Sequence, residues 1–252
     1  MRIHLLSDIH LEFAAWSPPA VDCDVVVLAG DIHTRGRGVG WALESFPDVP
    51  ILYVPGNHEG YGSHWENNLA KMKAAAEGTR LRLMDRTEVV LDGVRFLGAT
   101  CWTDFSAWPD RLLAMREANP DRRSGLPCSN DYRKIRTAGY RSLTPSDTAR
   151  MASQARSWFL ARLAENFDGP TVCVSHHPPS LKSLPFGVRE PLDATEANDW
   201  DDLVENPAVS LWLHGHVHHR QRYRLGSADV VTNPRGYPGE RTGFVPDLVV
   251  DL

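Results

Sequence analysis

The sequence predicts an α/β fold in which short buried strands carry metal-ligand side chains at their carboxyl ends. Five apolar runs of strand length recur: Ile3-His4-Leu5-Leu6, Val25-Val26-Val27-Leu28-Ala29, Ile51-Leu52-Tyr53-Val54, Thr171-Val172-Cys173-Val174 and Val209-Ser210-Leu211-Trp212-Leu213. Near-continuous apolar runs are how strands buried on both faces read. Each run ends in ligand-type residues: Asp8 and His10, Asp31, Asn57 and His58, His176, and His214, His216 and His218. Helical spacing fills several of the gaps, and in such sheets ligands gather beyond the carboxyl ends of the strands.

The motifs run from Asp8 to His218 and must converge, so the 252 residues read as one domain, 1–252, with insertions near 102–145 and 180–199. Hydrophobic content of 42% and charged content of 23% are those of an ordinary globular chain. A net charge of -5 disfavours a broad nucleic-acid footprint. The Arg-rich pieces Asp121-Arg122-Arg123 and Arg220-Gln221-Arg222-Tyr223-Arg224 read as solvated surface. Cys23, Cys101, Cys128 and Cys173 form no C-x-x-C pair, and reduced thiols in the cytoplasm are the economical reading. The start Met1-Arg2-Ile3-His4-Leu5-Leu6 is too short for a signal core or a membrane span.

Taken in order, the first strand leads to Asp8 and His10, whose two-residue spacing in an extended segment would point both to one face. Gly30 before Asp31 permits a tight exit from the second strand. The glycine-rich stretch Arg35 to Gly40 lacks the dinucleotide spacing and the Walker lysine, and reads as a loop opening a helix near Val39 to Phe46. After the third strand, Gly56-Asn57-His58-Glu59 would expose an amide, an imidazole and a carboxylate. Trp65, Leu69, Met72 and Ala76 mark a core-facing helix from His64 to Glu77. Asp92-Gly93 joins two β runs, Glu88 to Leu91 and Val94 to Ala99, as a hairpin.

From Trp102 to Pro145 the pattern breaks up, as in a lid or a surface excursion. Ser146 to Asn166 is an amphipathic helix with Met151, Ala155, Trp158, Phe159 and Leu163 on one stripe. Pro178 and Pro179 stiffen the loop behind His176, and Ser180 to Asp199 has the composition of a loop. His216 and His218 can face one way, while Gly215 allows close backbone approach. Strands near Arg222 to Leu225, Asp229 to Thr232 and Leu248 to Val250 complete the chain.

Asp8, His10, Asp31, Asn57, His176, His216 and His218 are oxygen and nitrogen donors without thiolates, which suits Mn, Fe, Zn, Co or Ni. Seven donors exceed the need of one tetrahedral ion, so two divalent metal ions sharing a carboxylate account for the number. Such pairs clamp phosphoryl groups and activate water, and the reaction class becomes metal-assisted hydrolysis of a phosphate ester. No H-E-x-x-H appears, which disfavours a metalloprotease.

Asp8-x-His10, Gly30-Asp31, Gly56-Asn57-His58-Glu59, His176 and Gly215-His216-x-His218 together resemble the ordered motifs of the calcineurin-like metallophosphoesterase superfamily, across nearly the whole chain. The resemblance implies a four-layer α/β/β/α sandwich with two mixed β-sheets. It also implies one metal on Asp8, His10 and His218, a second on Asn57, His176 and His216, and Asp31 bridging. A metal-bridging hydroxide would attack phosphorus in line while His58 donates a proton to the leaving group. The protein Ser/Thr phosphatase branch carries a supporting aspartate where this chain has Thr34, although Arg35 matches that branch's next residue. The departure favours a small-molecule phosphate ester, a phosphodiester first, over a phosphomonoesterase or protein phosphatase; a non-catalytic scaffold is the remaining alternative. A nuclease or cyclic-nucleotide phosphodiesterase competes with a pyrophosphohydrolase. His33, His177, His214 and His219 read as neighbours of the ligands or as surface, and Arg235 as either a phosphate contact or a structural residue.

Overall fold

The computed structural model describes residues 1–120 and 129–252; Asp121-Arg122-Arg123 and Cys128 lie outside the described residues. In chain order the elements are β1 (Arg2–Leu6), β2 (Val25–Leu28), α1 (Gly38–Ser45), β3 (Ile51–Tyr53), β4 (Ser63–His64), α2 (Trp65–Ala76), β5 (Leu81–Leu83), β6 (Thr87–Leu91) and β7 (Val94–Ala99). There follow α3 (Arg111–Ala118), α4 (Asn130–Lys134), β8 (Ile135–Thr137), β9 (Arg141–Ser142), α5 (Pro145–Leu163), β10 (Thr171–Ser175) and α6 (Asp201–Val204). The last strands are β11 (Val209–His214), β12 (Gln221–Leu225), β13 (Ala228–Thr232) and β14 (Val249–Asp251).

Two mixed sheets form the centre. One has the order β14-β1-β2-β3-β5, with only β14 antiparallel to its neighbour. The other has the order β12-β13-β11-β10-β7-β6, parallel except at its two edge strands. Alternation along each strand fixes the layers. Ile3, Leu5, Val25, Val27 and Leu52 meet Phe96, Val172, Val174, Leu211 and Leu213 between the sheets. Leu6, Val26, Leu28, Ile51 and Tyr53 face the other way, against Val39 and Ala42 of α1 and Met72 and Ala76 of α2. On the far side, Ala152, Ala155, Phe159 and Leu163 of α5 pack on Leu97, Cys173 and Trp212. This is the α/β/β/α sandwich that the family resemblance implies. Each fully buried Val or Leu contributes about 1.5–3 kcal/mol, so both faces of β2 resist polar substitution.

The helices begin where capping chemistry allows. Thr144 and Asp147 form a reciprocal capping box on α5 with Pro145 in its first turn. His64 caps α2, its side chain accepting from the Asn67 N–H. Arg95, buried between the sheets' edge and α5, donates to the carbonyls of Arg162 and Glu165 at that helix's end.

Two sequence expectations are corrected here. The stretch from Trp102 to Pro145 is not irregular throughout: it contains α3, α4 and the strands β8 and β9, which join β4 in a small third sheet. The helix α3 was hidden because its stripe is weak: Ala114 and Ala118 are buried while Leu112 is exposed. The strand β5 was missed because it is three residues long and alternates Leu-Arg-Leu between turns.

Candidate metal centre

The strand-end loops are stapled to one another before any side chain is considered. Asp8 donates its N–H to Gly30 O (2.9 Å) and His10 donates to Asp31 O (3.0 Å). Both residues adopt φ of 51°, so the expected extended spacing is replaced by two left-handed residues, because pairing with the second loop bends the chain off the strand. Asp31 (φ 57°) and His216 (φ 71°) share this sparsely populated region, which non-glycine residues hold only where the surroundings over-determine it.

Glu59 supplies much of that determination, and it too departs from the sequence reading. Rather than being exposed, its carboxylate is fully buried and accepts from the N–H groups of Asp31 (3.0 Å), Ile32 (2.8 Å) and Gly56 (2.6 Å) and from the Tyr53 hydroxyl (2.7 Å). One carboxylate therefore ties the loop after β3 to the loop after β2. Gly30 is required twice over: its φ is 89°, and a Cβ there would stand 2.2 Å from His176 Nδ1. A Cβ on Gly215 would stand 2.8 Å from Asp8 Oδ2.

The side chains converge. Asp8, His10 and His218 bring ligand atoms within 4.8 Å of one another, as do Asp8, Asp31 and His176, and His10, Asp31 and His58. His176 Nε2 lies 3.4 Å from Asp31 Oδ1 and His10 Nε2 lies 3.9 Å from Asp31 Oδ2, so the two oxygens of Asp31 face opposite sets. His216 and His218 do not face one way. His218 joins His10, whereas the His216 ring sits 5.1 Å from that of His176, because His216 is left-handed and turns the chain between them.

These donors fit a pair of cations for a reason internal to the structure. His10 donates Nδ1–H to Glu12 (3.2 Å) and His218 donates Nδ1–H to Glu240 (2.6 Å). Their two Nε2 atoms then face each other at 3.2 Å, with Asp8 Oδ1 3.7 Å from one and Asp31 Oδ2 3.9 Å from the other, both beyond hydrogen-bond distance. On the other side His176 donates Nδ1–H to Ala29 O (2.9 Å), while Asn57 donates through Nδ2 to Asp131 (2.9 Å). That leaves His176 Nε2 facing only oxygen acceptors, Asn57 Oδ1 at 2.9 Å and Asp31 Oδ1 at 3.4 Å, a place that either a proton or a cation satisfies. His216 Nε2 is buried without a hydrogen bond, Glu196 Oε2 standing 3.5 Å away. Burial pushes the His176 imidazole down, yet Asp31 outweighs it and draws the group up to about 10; the place calls for positive charge. Burial likewise opposes ionisation of Asp31, and His176, His58 and His10 hold it well below the usual carboxylate range.

His58 stands beside this cluster. Its N–H donates to Asp31 Oδ1 (2.8 Å), its ring stacks on Tyr61 (4.1 Å), Nδ1 meets Glu12 Oε1 (2.7 Å) and Nε2 faces the Tyr237 hydroxyl (3.1 Å). Burial lowers its affinity for a proton, while Asp31 and then Glu12 reverse the balance and raise it.

The remaining histidines support or surround the cluster. His177 and His214 are buried, and burial drives them down to about 3 and about 4, so both are neutral. His214 Nε2 meets the Ser183 hydroxyl at 2.9 Å. His33 is half-buried and His219 exposed. Arg235 is structural: it donates to the carbonyls of Ile9 (2.6 Å) and Ala14 (3.1 Å), which spends its guanidinium on the loop after β1. Arg35, at φ 57°, lies against Gly62, away from the cavity.

The cluster opens into a cavity of ≈ 340 Å³, whose wall includes His58, His216 and His218 together with Ser129, Asp131, Thr195, Glu196 and Tyr237. Sequence reasoning missed Glu12, Asp131, Glu196, Tyr237 and Glu240. Only Glu12 had a signal, the alternate-residue run Asp8-x-His10-x-Glu12; the others come from segments whose paths no local pattern gives.

Residues 1–220 match the family model described as calcineurin-like phosphoesterase. The chain therefore belongs to that family, and it is a dinuclear metal-binding hydrolase, a metal-dependent phosphoesterase. It is 26% identical to the uncharacterized protein L509 of Acanthamoeba polyphaga mimivirus, over all of this chain and 97% of that one. Among solved structures, a phosphopantetheinyl hydrolase from Mycobacterium tuberculosis is similar with a TM-score of 0.71 at 16% identity, covering 94% of this chain and 89% of that one. A dimetal phosphatase from Danio rerio is similar at 0.52 and 14%, covering 92% and 87%. At these identities the likeness is one of fold.

Proposed function

We propose that this enzyme hydrolyses a small phosphodiester, with Asp8, His10 and His218 holding one divalent ion, Asn57, His176 and His216 the other, and Asp31 bridging them. When bound, the ion pair supplies Lewis-acid polarisation of the ester and an activated water. The chain's own residues do the rest. Asp31 separates and pins the two ligand sets, and His58, protonated beside Glu12, aims Nε2 into the cavity to hand a proton to the departing oxygen. Placing that donor within reach of the leaving group contributes about 10² to 10⁴ in rate.

The observation that carries the diester reading is the charge of the wall. The described residues lining the cavity include Asp131 and Glu196 but no lysine or arginine. A dianionic monoester or a pyrophosphate gains most from guanidinium or ammonium groups on its extra charge, and a singly charged diester needs none beyond the ions. The segments 102–145 and 180–199, read as insertions in one domain spanning 1–252, contribute Asp131 and Glu196 and so would select the substituent. The test is a panel of aryl phosphodiesters, phosphomonoesters and pyrophosphates on protein reconstituted with Mn. The expected result is the highest kcat/KM on diesters; a preference for monoesters overturns this reading.

A further inference from the structure

Glu12 is a charged side chain beside the centre that the ligand set does not include, and it touches His58 as well as His10. It follows His10 by two residues, and the Phe13 N–H donating to His10 O (3.0 Å) closes a turn that folds Glu12 back over the loop after β1. Its side chain is only 13% exposed. Oε1 lies 2.7 Å from His58 Nδ1 and 3.2 Å from His10 Nδ1. A carboxylate only accepts, so contact at Nδ1 fixes a hydrogen there and leaves Nε2 as the nitrogen that addresses the cavity. Stacking on Tyr61 holds the plane of the ring, but it does not choose between the nitrogens. Thr34, three residues after Asp31, offers no carboxylate and meets His33 instead (3.5 Å).

We infer that Glu12 is the positioning residue for His58: its carboxylate holds the imidazole through Nδ1–H so that Nε2–H is presented to the leaving-group oxygen. The inference rests on the proposed acid role of His58. In the step it serves, an oxygen from water bonds to phosphorus as the phosphorus–oxygen bond to the leaving group breaks, the Nε2 proton passes to the departing oxygen, and the imidazole is left neutral with Nδ1–H still on Glu12. The carboxylate keeps its charge throughout. Because the same oxygen touches His10, the test must separate action through the acid from action through the ions.

Glu12→Gln, Glu12→Ala, His58→Ala and the Glu12→Gln/His58→Ala double variant, each loaded with saturating Mn, are compared on aryl methyl phosphodiesters from dinitrophenyl to phenyl. Metal content is measured alongside. A general acid matters most when the leaving group is a poor one, so Glu12→Gln should lose about 10- to 100-fold in kcat on the phenyl ester and less than about 3-fold on the dinitrophenyl ester. The double variant should be no slower than His58→Ala, since residues acting as one unit are not additive, and both ions should remain bound. An equal loss across the series, additive losses, or recovery of the wild-type rate at higher Mn overturns the inference while leaving the His58 reading intact. If His58→Ala itself shows no dependence on the leaving group, the acid role fails and Glu12's role fails with it.

Discussion

The two walls of the cavity are built differently. The wall holding the ligands comes from loops at strand ends: Asp8, His10, Asp31 and His176 are buried, their amides bonded to neighbouring loops, their backbones left-handed at three of these four positions. The facing wall comes from α4, from the segment around Glu196 and from Tyr237, and its carboxylates are half-buried, reaching the centre by side chains alone: Asp131 through Asn57 and Tyr61, Glu196 through His216. One wall is over-determined because the geometry that holds two cations tolerates little error. The other is lightly held, as surfaces that select substrates commonly are.

Removing the keystone of the first wall should break this contrast most severely. Glu59→Ala leaves several buried N–H groups and a tyrosine hydroxyl without an acceptor. The expected loss is more than about 4 kcal/mol, since each unsatisfied buried donor costs about 1–3 kcal/mol, and urea unfolding measures it. A loss under about 1 kcal/mol would mean the loops hold themselves, within the range of ordinary substitutions. Asp131→Asn tests the place where the walls touch. Asp131 Oδ1 accepts from both Asn57 Nδ2 (2.9 Å) and the Tyr61 hydroxyl (2.8 Å), which turns the Asn57 carbonyl toward His176. Metal affinity by titration should fall by about 10- to 100-fold with the fold retained.

Away from the site, Asp147 gives a pH test of how the insertion is tied to α5. The hydrogen bond from Arg141 is the main influence on its carboxyl and, against some burial, holds it down at about 2. Its unfolded value is about 3.9, so the stability it contributes is fully present above pH ~4 and disappears as the pH falls to ~2. The stability difference between wild type and Asp147→Asn should close across that window in denaturant titrations at each pH. The smallest effect belongs to the facing wall, proposed to select the substituent: Glu196→Gln should leave stability within about 0.5 kcal/mol of wild type and act mainly on KM for diesters with cationic or hydroxylated substituents.

The sequence by itself determined the two-sheet core and the donor-type residues gathered beyond it, because strands buried on both faces read as continuous apolar runs and these residues stand within four positions of the strand ends. Asp8, Asp31, Asn57, His176 and His216 are all legible on that rule. It did not reveal that Glu59 points inward, that Asp8 and His10 turn left-handed, or that His216 and His218 part company. Those outcomes depend on hydrogen bonds between loops more than twenty residues apart, such as Glu59 with Asp31 and Asp8 with His216. Tertiary structure alone decided Asp131 and Glu240, and it decided what the alternate-residue Glu12 touches, since a carboxylate that orients an imidazole or an amide is defined by what it reaches across space.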